Sequence, residues 1–191
     1  MNPPKLIGEV TEIAKWGKVV ATRTFEQPDG KQDEFLVWGG KKGDQFVVPS
    51  IIFPVTDKEE VIAIRQFRYG ANEFVLEIPG GCPDGKEGFE GIVRRELIEE
   101  TGYEVGKLEK LGEPLWFEPA ACWTKFQPIL AMGCKKVAEP KPDEHEHIEV
   151  VVLDLNHWFS MIHGGKVTDS KTIAVSFLAA GAMGYRLAKP E

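Results

Sequence analysis

Glu96, Glu99 and Glu100 fall at i, i+3 and i+4, the spacing that gathers side chains on one face of a helix. Like charges held together in this way repel, so the cluster needs a positive charge to neutralise it. Oxygen donors of this kind suit a hard divalent cation, Mg²⁺ or Mn²⁺. The three acids close a longer pattern. Gly81 is followed by Glu87, then by Arg95, Glu96 and Leu97, and after Glu99 and Glu100 by Gly102. Arg95 is a cation able to bridge carboxylates and orient them from behind. The plainer reading of an acidic cluster is an exposed helix laced by ion pairs four residues apart. The full spaced pattern makes that the lesser reading.

Such a cluster has to be carried by a helix that is itself held in place. The spacing predicts a helix from near Phe89 to Thr101, closed by Gly102 as a left-handed cap. A glycine-rich turn, Gly80-Gly81 and then Pro83-Asp84-Gly85, leads into it. At about 100° per residue, Phe89, Ile92 and Val93 share one broad side, and Glu96 and Glu100 point nearly the same way. A purely structural helix sets its acids opposite its apolar stripe. Here they lie along it, so they are expected in a cleft. Strands are expected at Val19–Phe25, Glu34–Trp38, Val61–Phe67, Phe74–Ile78, Glu113–Phe117, Phe126–Met132 and Glu149–Leu155. A short helix over Asn156–His163 and a last helix opened by Thr168-Asp169-Ser170-Lys171 complete the pattern.

The segment from Gly81 to Tyr103 resembles the Nudix box, G-x5-E-x7-R-E-U-x-E-E-x-G-U, with U a bulky aliphatic residue. Gly81, Glu87, Arg95, Glu96, Leu97, Glu99, Glu100 and Gly102 all match, and only Tyr103 departs, at a packing position. The resemblance implies an α/β fold: the Nudix α/β/α sandwich on a mixed β-sheet. It implies hydrolysis of a nucleoside diphosphate linked to another group, with Mg²⁺ as cofactor and Mn²⁺ as a substitute. Glu96, Glu99 and Glu100 would be metal ligands, with the backbone carbonyl of Gly80 adding another. Glu87 would assist from the loop, and Arg95 would orient the acids.

Outside the box, Arg65-Gln66-Phe67-Arg68-Tyr69 and Glu77-Ile78-Pro79-Gly80-Gly81 resemble segments of the ADP-ribose and nucleoside diphosphate sugar pyrophosphatases. So does Pro119, sixteen residues past Tyr103. This implies Arg65 and Arg68 as contacts to phosphate or to a partner subunit, and places Glu77 in the substrate region. Trp16 or Trp38 is a candidate to stack on the base, against the alternative of ordinary strand packing. The base catalyst is expected on the late polar loop, as Glu144 or Glu146, with Glu99 as the competitor. His145 and His147 beside Glu146 are read as solvated rather than metal-binding. After Pro119 the chain departs from the ADP-ribose pattern, reading Ala120-Ala121-Cys122-Trp123. That opens the range of sugars, with Trp123 either a substrate contact or a cover for the core.

A net charge of −7 argues against a nucleic-acid backbone as partner, since that contact rests on clustered Lys and Arg. Cys82, Cys122 and Cys134 show neither metal nor disulfide spacing. With no signal-like N-terminus and only a short apolar stretch over 173–188, a cytoplasmic protein with no membrane contact is expected. Residues 1–50 are expected to form a β-rich module resembling a homodimer arm, and 51–191 the Nudix domain. The alternatives are a Nudix ligand sensor without hydrolysis, or an enzyme for NADH, dinucleoside polyphosphates or nucleoside triphosphates.

Overall fold

The computed structural model describes residues 2–42, 45–83 and 88–186. Two compact units are formed, one from Met1–Val48 with Pro114–Phe126 and one from Pro49–Glu113 with Gln127–Glu191. The first unit therefore contains a segment from the middle of the chain in addition to its N-terminal part.

The N-terminal unit is built on an antiparallel sheet of β1 (Lys5–Lys15), β2 (Lys18–Glu26), β3 (Gln32–Lys42) and β4 (Gln45–Phe46), in that order. Pairing brings Val10, Thr22 and Leu36 into line, and likewise Ile13, Val20 and Trp38. Because side chains alternate along a strand, these two rows share one face of the sheet. On the other face Ala21 and Val19 are buried. There Trp123 lies on Gly39, close enough that a Cβ at 39 would sit 2.3 Å from its indole nitrogen. The stretch around Trp123 also extends the sheet. Trp38 N–H donates to the Ala121 carbonyl and Trp123 N–H to the Trp38 carbonyl.

The second unit is a mixed sheet between helices. The strands that follow β4 along the chain are β5 (Ser50–Val55), β6 (Glu60–Arg68), β7 (Glu73–Glu77), β8 (Gly80–Gly81), β9 (Tyr103–Glu104), β10 (Lys107–Lys110), β11 (Leu115–Trp116), β12 (Lys125–Met132), β13 (Lys135–Lys136) and β14 (Ile148–Asp154). Of these, β11 falls in the N-terminal unit and pairs with Lys125 and Phe126, the first residues of β12. The central order is β10-β12-β5-β6-β14, with β7 on β6 and β8 on β5. In this sheet β5 and β12 run parallel, and β6, β7, β8, β10 and β14 pair antiparallel. The short pair β9–β13 stands apart.

Helix α1 (Phe89–Thr101) packs Val93 and Leu97 against Ile52, Ile62, Ile129 and Ala131 of one sheet face. By alternation, Phe53, Val61, Ala63 and Leu130 point to the opposite face, and they too are buried. Helices α2 (Leu155–His163) and α3 (Ser170–Ala182), which contact β5, β6 and β14, complete the sandwich. Asp154 and Asp169 cap these two helices by accepting from their first-turn N–H groups. Among the described residues no helix is long and apolar enough to cross a membrane.

Candidate active site

The box helix runs over the residues its spacing predicts. It ends on Gly102 at φ 77° with its N–H bonded to the Ile98 carbonyl, the left-handed stop that glycine adopts without strain. A Cβ at 102 would also meet the Ala138 carbonyl at 2.1 Å. Burial follows the expected offset of the acids. Glu100 joins Ile92, Val93 and Leu97 on the buried side, Glu96 is half-buried, and Glu99 is the most exposed of the three acids. The two β8 glycines lie close against Glu96 and the neighbouring strand β5. A Cβ on Gly81 would fall 1.9 Å from the Glu96 Cδ, and one on Gly80 would fall 2.5 Å from the Ser50 carbonyl oxygen. With the backbone fixed, position 80 admits only glycine, whereas a side chain at 81 would have to displace the Glu96 carboxylate.

Glu100 is 3% exposed and accepts a hydrogen bond from Gly80 N–H at 3.1 Å. Burial pushes its carboxyl up to about 8, with the charges of Glu96 and Glu146 adding to the shift and the Gly80 bond and Arg68 opposing it. Burial also raises Glu96, against the neighbouring Arg95, while Glu99 and Glu146 push the same way as burial. Arg95 bridges the helix acids, lying 3.0 Å from Glu96 and 2.9 Å from Glu99, and donates to the Cys82 carbonyl at 3.3 Å. These carboxylates have given up water for too little positive charge.

A cavity of about 440 Å³ opens above them, lined by Arg68, Gly80, Gly81, Cys82, Pro83, Arg95, Glu96, Glu99, Asp143 and Glu146. The fold thus gathers Arg68, Gly80, Arg95, Glu96, Glu99 and Glu146 from four separate stretches of chain. Glu100 lies beneath them, reached through Gly80. Glu146 is half-buried, and its carboxylate accepts from Asp143 N–H at 3.1 Å. Glu144 is exposed on the same loop and does not line the cavity. Glu87 lies outside the described residues.

Arg65 and Arg68 are three apart on β6, so they leave the strand on opposite faces. Arg68 turns to the cavity, where Glu77 holds it by two bonds of 2.6 and 2.9 Å. Glu77 is 2% exposed, so its carboxylate is spent on orienting this guanidinium. Burial works against the Arg68 charge, yet the Glu77 bond and charge leave it raised overall. Arg65 lies over the Phe74 ring and pairs with Glu149 at 3.3 Å in an exposed position. Trp16, Trp38, Pro119 and Trp123 all belong to the N-terminal unit. Trp16 sits in the β1–β2 turn with Lys15 over its ring, and Trp38 is partly exposed on β3. Pro119 is exposed in a turn where the Glu118 carboxylate accepts from Ala120 and Ala121 N–H. Trp123 is covered by Arg23 at 4.8 Å and met edge-on by Phe46.

Cys82 and Asp143 line the cavity without having been singled out from the sequence. Asp143 had a local signal, since it opens the acidic loop that carries Glu146. Cys82 had none beyond its place inside the box.

The donor set fits a hard divalent cation. Desolvated carboxylates collect around Arg95, while Arg68, the other guanidinium lining the cavity, is already held by Glu77. Among the described residues no three acidic, His or Cys side chains converge into a finished cage. Glu96, Glu99 and Glu100, with the Gly80 carbonyl, are the groups that would hold the ion.

The NUDIX domain model matches residues 46–174. The chain is 33% identical over 138 residues to the GDP-mannose pyrophosphatase of Citrobacter koseri, covering 68% of this chain and 71% of that enzyme. To the ADP-ribose pyrophosphatase of Bacillus subtilis it is 31% identical, covering 66% and 69%. With the ADP-sugar pyrophosphatase of Mus musculus identity is 27%, but the match spans 95% of this chain and 88% of that one. The crystal structure of an ADP compounds hydrolase superposes with a TM-score of 0.82 at 20% identity, covering 97% of this chain and 98% of that one, so the fold is shared. The chain belongs to the Nudix family, whose pyrophosphatases use a divalent metal.

Proposed function

We propose that this Nudix hydrolase cuts the pyrophosphate bond of ADP-ribose or a related nucleoside diphosphate sugar, releasing a nucleoside monophosphate and a sugar phosphate. The observation that carries the reading is the cavity in which Glu96, Glu99 and Glu146 face Arg68 and Arg95. It joins anionic ligands for a cation with arginine forks suited to phosphate oxygens. The ADP-ribose, ADP-sugar and GDP-mannose pyrophosphatases among the relatives support the same substrate class.

Mg²⁺, replaceable by Mn²⁺, is the proposed cation; when bound it supplies charge neutralisation at the diphosphate and a more acidic water. Glu96, Glu99 and Glu100 would hold it, with Arg95 setting the rotamers of the first two. Arg68, held by Glu77, positions a phosphate oxygen. Glu146 takes the proton of the water that adds to phosphorus as the bridging P–O bond breaks. Glu146 is favoured over Glu144 because it lines the cavity, and over Glu99 because Glu99 is paired with Arg95.

The open face of the N-terminal sheet, with Val10, Ile13, Leu36 and Trp38 all exposed, is proposed to meet the same face of a second copy, making a homodimer. Trp16 or Trp38 is the candidate to stack on the base and Pro119 the candidate at the sugar end, while Trp123, packed on Gly39, fits the reading of a cover. A cytoplasmic location is proposed with this activity. Nothing in the box favours the sensor reading, since each of its acids is retained.

A panel of ADP-ribose, ADP-glucose, GDP-mannose, UDP-glucose, NADH and dGTP, with products separated by chromatography, tests the assignment. One of the diphosphate sugars is expected to be cut fastest. Preference for dGTP or NADH would overturn it.

A further inference from the structure

The pairing of β6 with β14 stops at Gln66 and Ile148, but the bonding does not. Phe67 N–H donates to the His147 carbonyl at 3.1 Å, which is the next rung in the same register. Counting on, Arg68 falls opposite Glu146 and Tyr69 opposite His145. The rung due at Tyr69 is made by its side chain instead: the hydroxyl lies 3.4 Å from the His145 carbonyl oxygen. That is long for an O–H···O bond, so the tie is a light one.

Alternation sorts the side chains of this extension. Arg68 and Glu146 leave on the cavity side, and both line it. Phe67 and Tyr69 leave on the outer side, with Arg65. Tyr69 is 68% exposed, so burial does not explain its place. It is held upright by edge-on contact with Phe67, which meets Phe74 in the same way. The loop is fastened again at its other end, where Lys141 N–H donates to the Glu99 carbonyl at 2.7 Å. Between the two fastenings Glu146 closes a turn on Asp143, through its own N–H at 2.8 Å and its carboxylate at 3.1 Å.

We propose that Tyr69 is a positioning residue for the reaction: its hydroxyl completes the β6–β14 ladder from the outer face and thereby holds Glu146 in the cavity opposite Arg68. The catalytic part rests on the reading of Glu146 as the proton acceptor. Tyr69 itself touches no reacting atom. Removing its hydroxyl frees the His145 end of the loop while the aromatic contacts and the Phe67 rung remain.

The test compares Tyr69→Phe and Glu146→Gln in the full chain, with hydrogen exchange of the 143–148 backbone and steady-state kinetics on the best substrate of the panel. Tyr69→Phe is expected to speed exchange in that segment severalfold and to lower kcat about two- to threefold, the low end for one hydrogen bond. KM is expected to stay within twofold, and the melting temperature unchanged. Unaltered exchange at 143–148 overturns the tie. Full kcat in Tyr69→Phe, while Glu146→Gln is crippled, overturns the positioning role. Full activity in Glu146→Gln instead removes the proton-acceptor reading and the catalytic half of this proposal with it, leaving exchange to judge the tie.

Discussion

Glu100 on α1 is 3% exposed, whereas Val10 on β1 is 64% exposed, the reverse of what a carboxylate and an aliphatic side chain prefer in water. The two regions are unfinished in opposite senses. Around α1 the fold withdraws negative charge from solvent and offers Arg95 and Arg68 as partial compensation. On the N-terminal sheet it lines up Val10 with Leu36 and Ile13 with Trp38 across three strands and leaves them uncovered. Single exposed apolar residues are ordinary, but a contiguous patch marks a surface made for contact. The proposed cation would relieve the first, and the proposed contact with a second copy would cover the second.

The sharpest way to break this contrast is Glu100→Gln. It keeps the shape and the neutral form of the buried group but removes the charge offered to the cation. Loss of several kcal/mol of charge stabilisation corresponds to a fall in kcat of roughly a thousandfold, with the circular dichroism spectrum unchanged. Near-normal turnover would sink the metal assignment.

The sheet is probed by Leu36→Glu. Burying one aliphatic side chain is worth about 1.5–3 kcal/mol, so a dimer built on this face should weaken by at least tenfold in sedimentation equilibrium. A monomeric parent protein, or an unaffected dimer, would count against the interface.

The smallest effect is on stability. The folded-state pKa of Glu100, about 8, lies above its ordinary 4.5. The stability tied to that proton is therefore fully present below about 4.5 and is lost as pH rises towards 8. Chelator-treated protein is expected to melt about 5 °C lower at pH 8 than at pH 5.5 from this group. Added Mg²⁺ should recover more at the higher pH, and Glu100→Gln should flatten the profile. A parent profile that rises with pH would contradict the burial argument.

Much of the α1 region was legible because its signals are local. Carboxylates three and four apart, an apolar stripe beside them and a glycine at the left-handed stop all belong to one helix. The last helix was announced by Asp169 as its cap. The N-terminal sheet was legible only in part. β1 escaped notice because register shifts between Leu6 and Gly8 and between Thr11 and Ile13 break the alternation that marks a strand. β10 carries a single apolar residue in Lys107–Lys110, too little for a pattern. The strand expected over Glu113–Phe117 shrinks to Leu115–Trp116.

By itself the sequence determined the chemistry on offer: which acids share a helical face, what cation their oxygens suit, and which family pattern they complete. Those follow from residue type and short-range geometry. Only the tertiary structure decided which groups share the cavity. The turn closed between Asp143 and Glu146, not proximity in sequence, sets Glu146 there rather than Glu144, and side-chain alternation on β6 sends Arg68 there rather than Arg65. Packing likewise turned Glu77 into the holder of Arg68 and set Trp123 against Gly39. Contacts between distant segments depend on how the strands register, which no short window of sequence encodes.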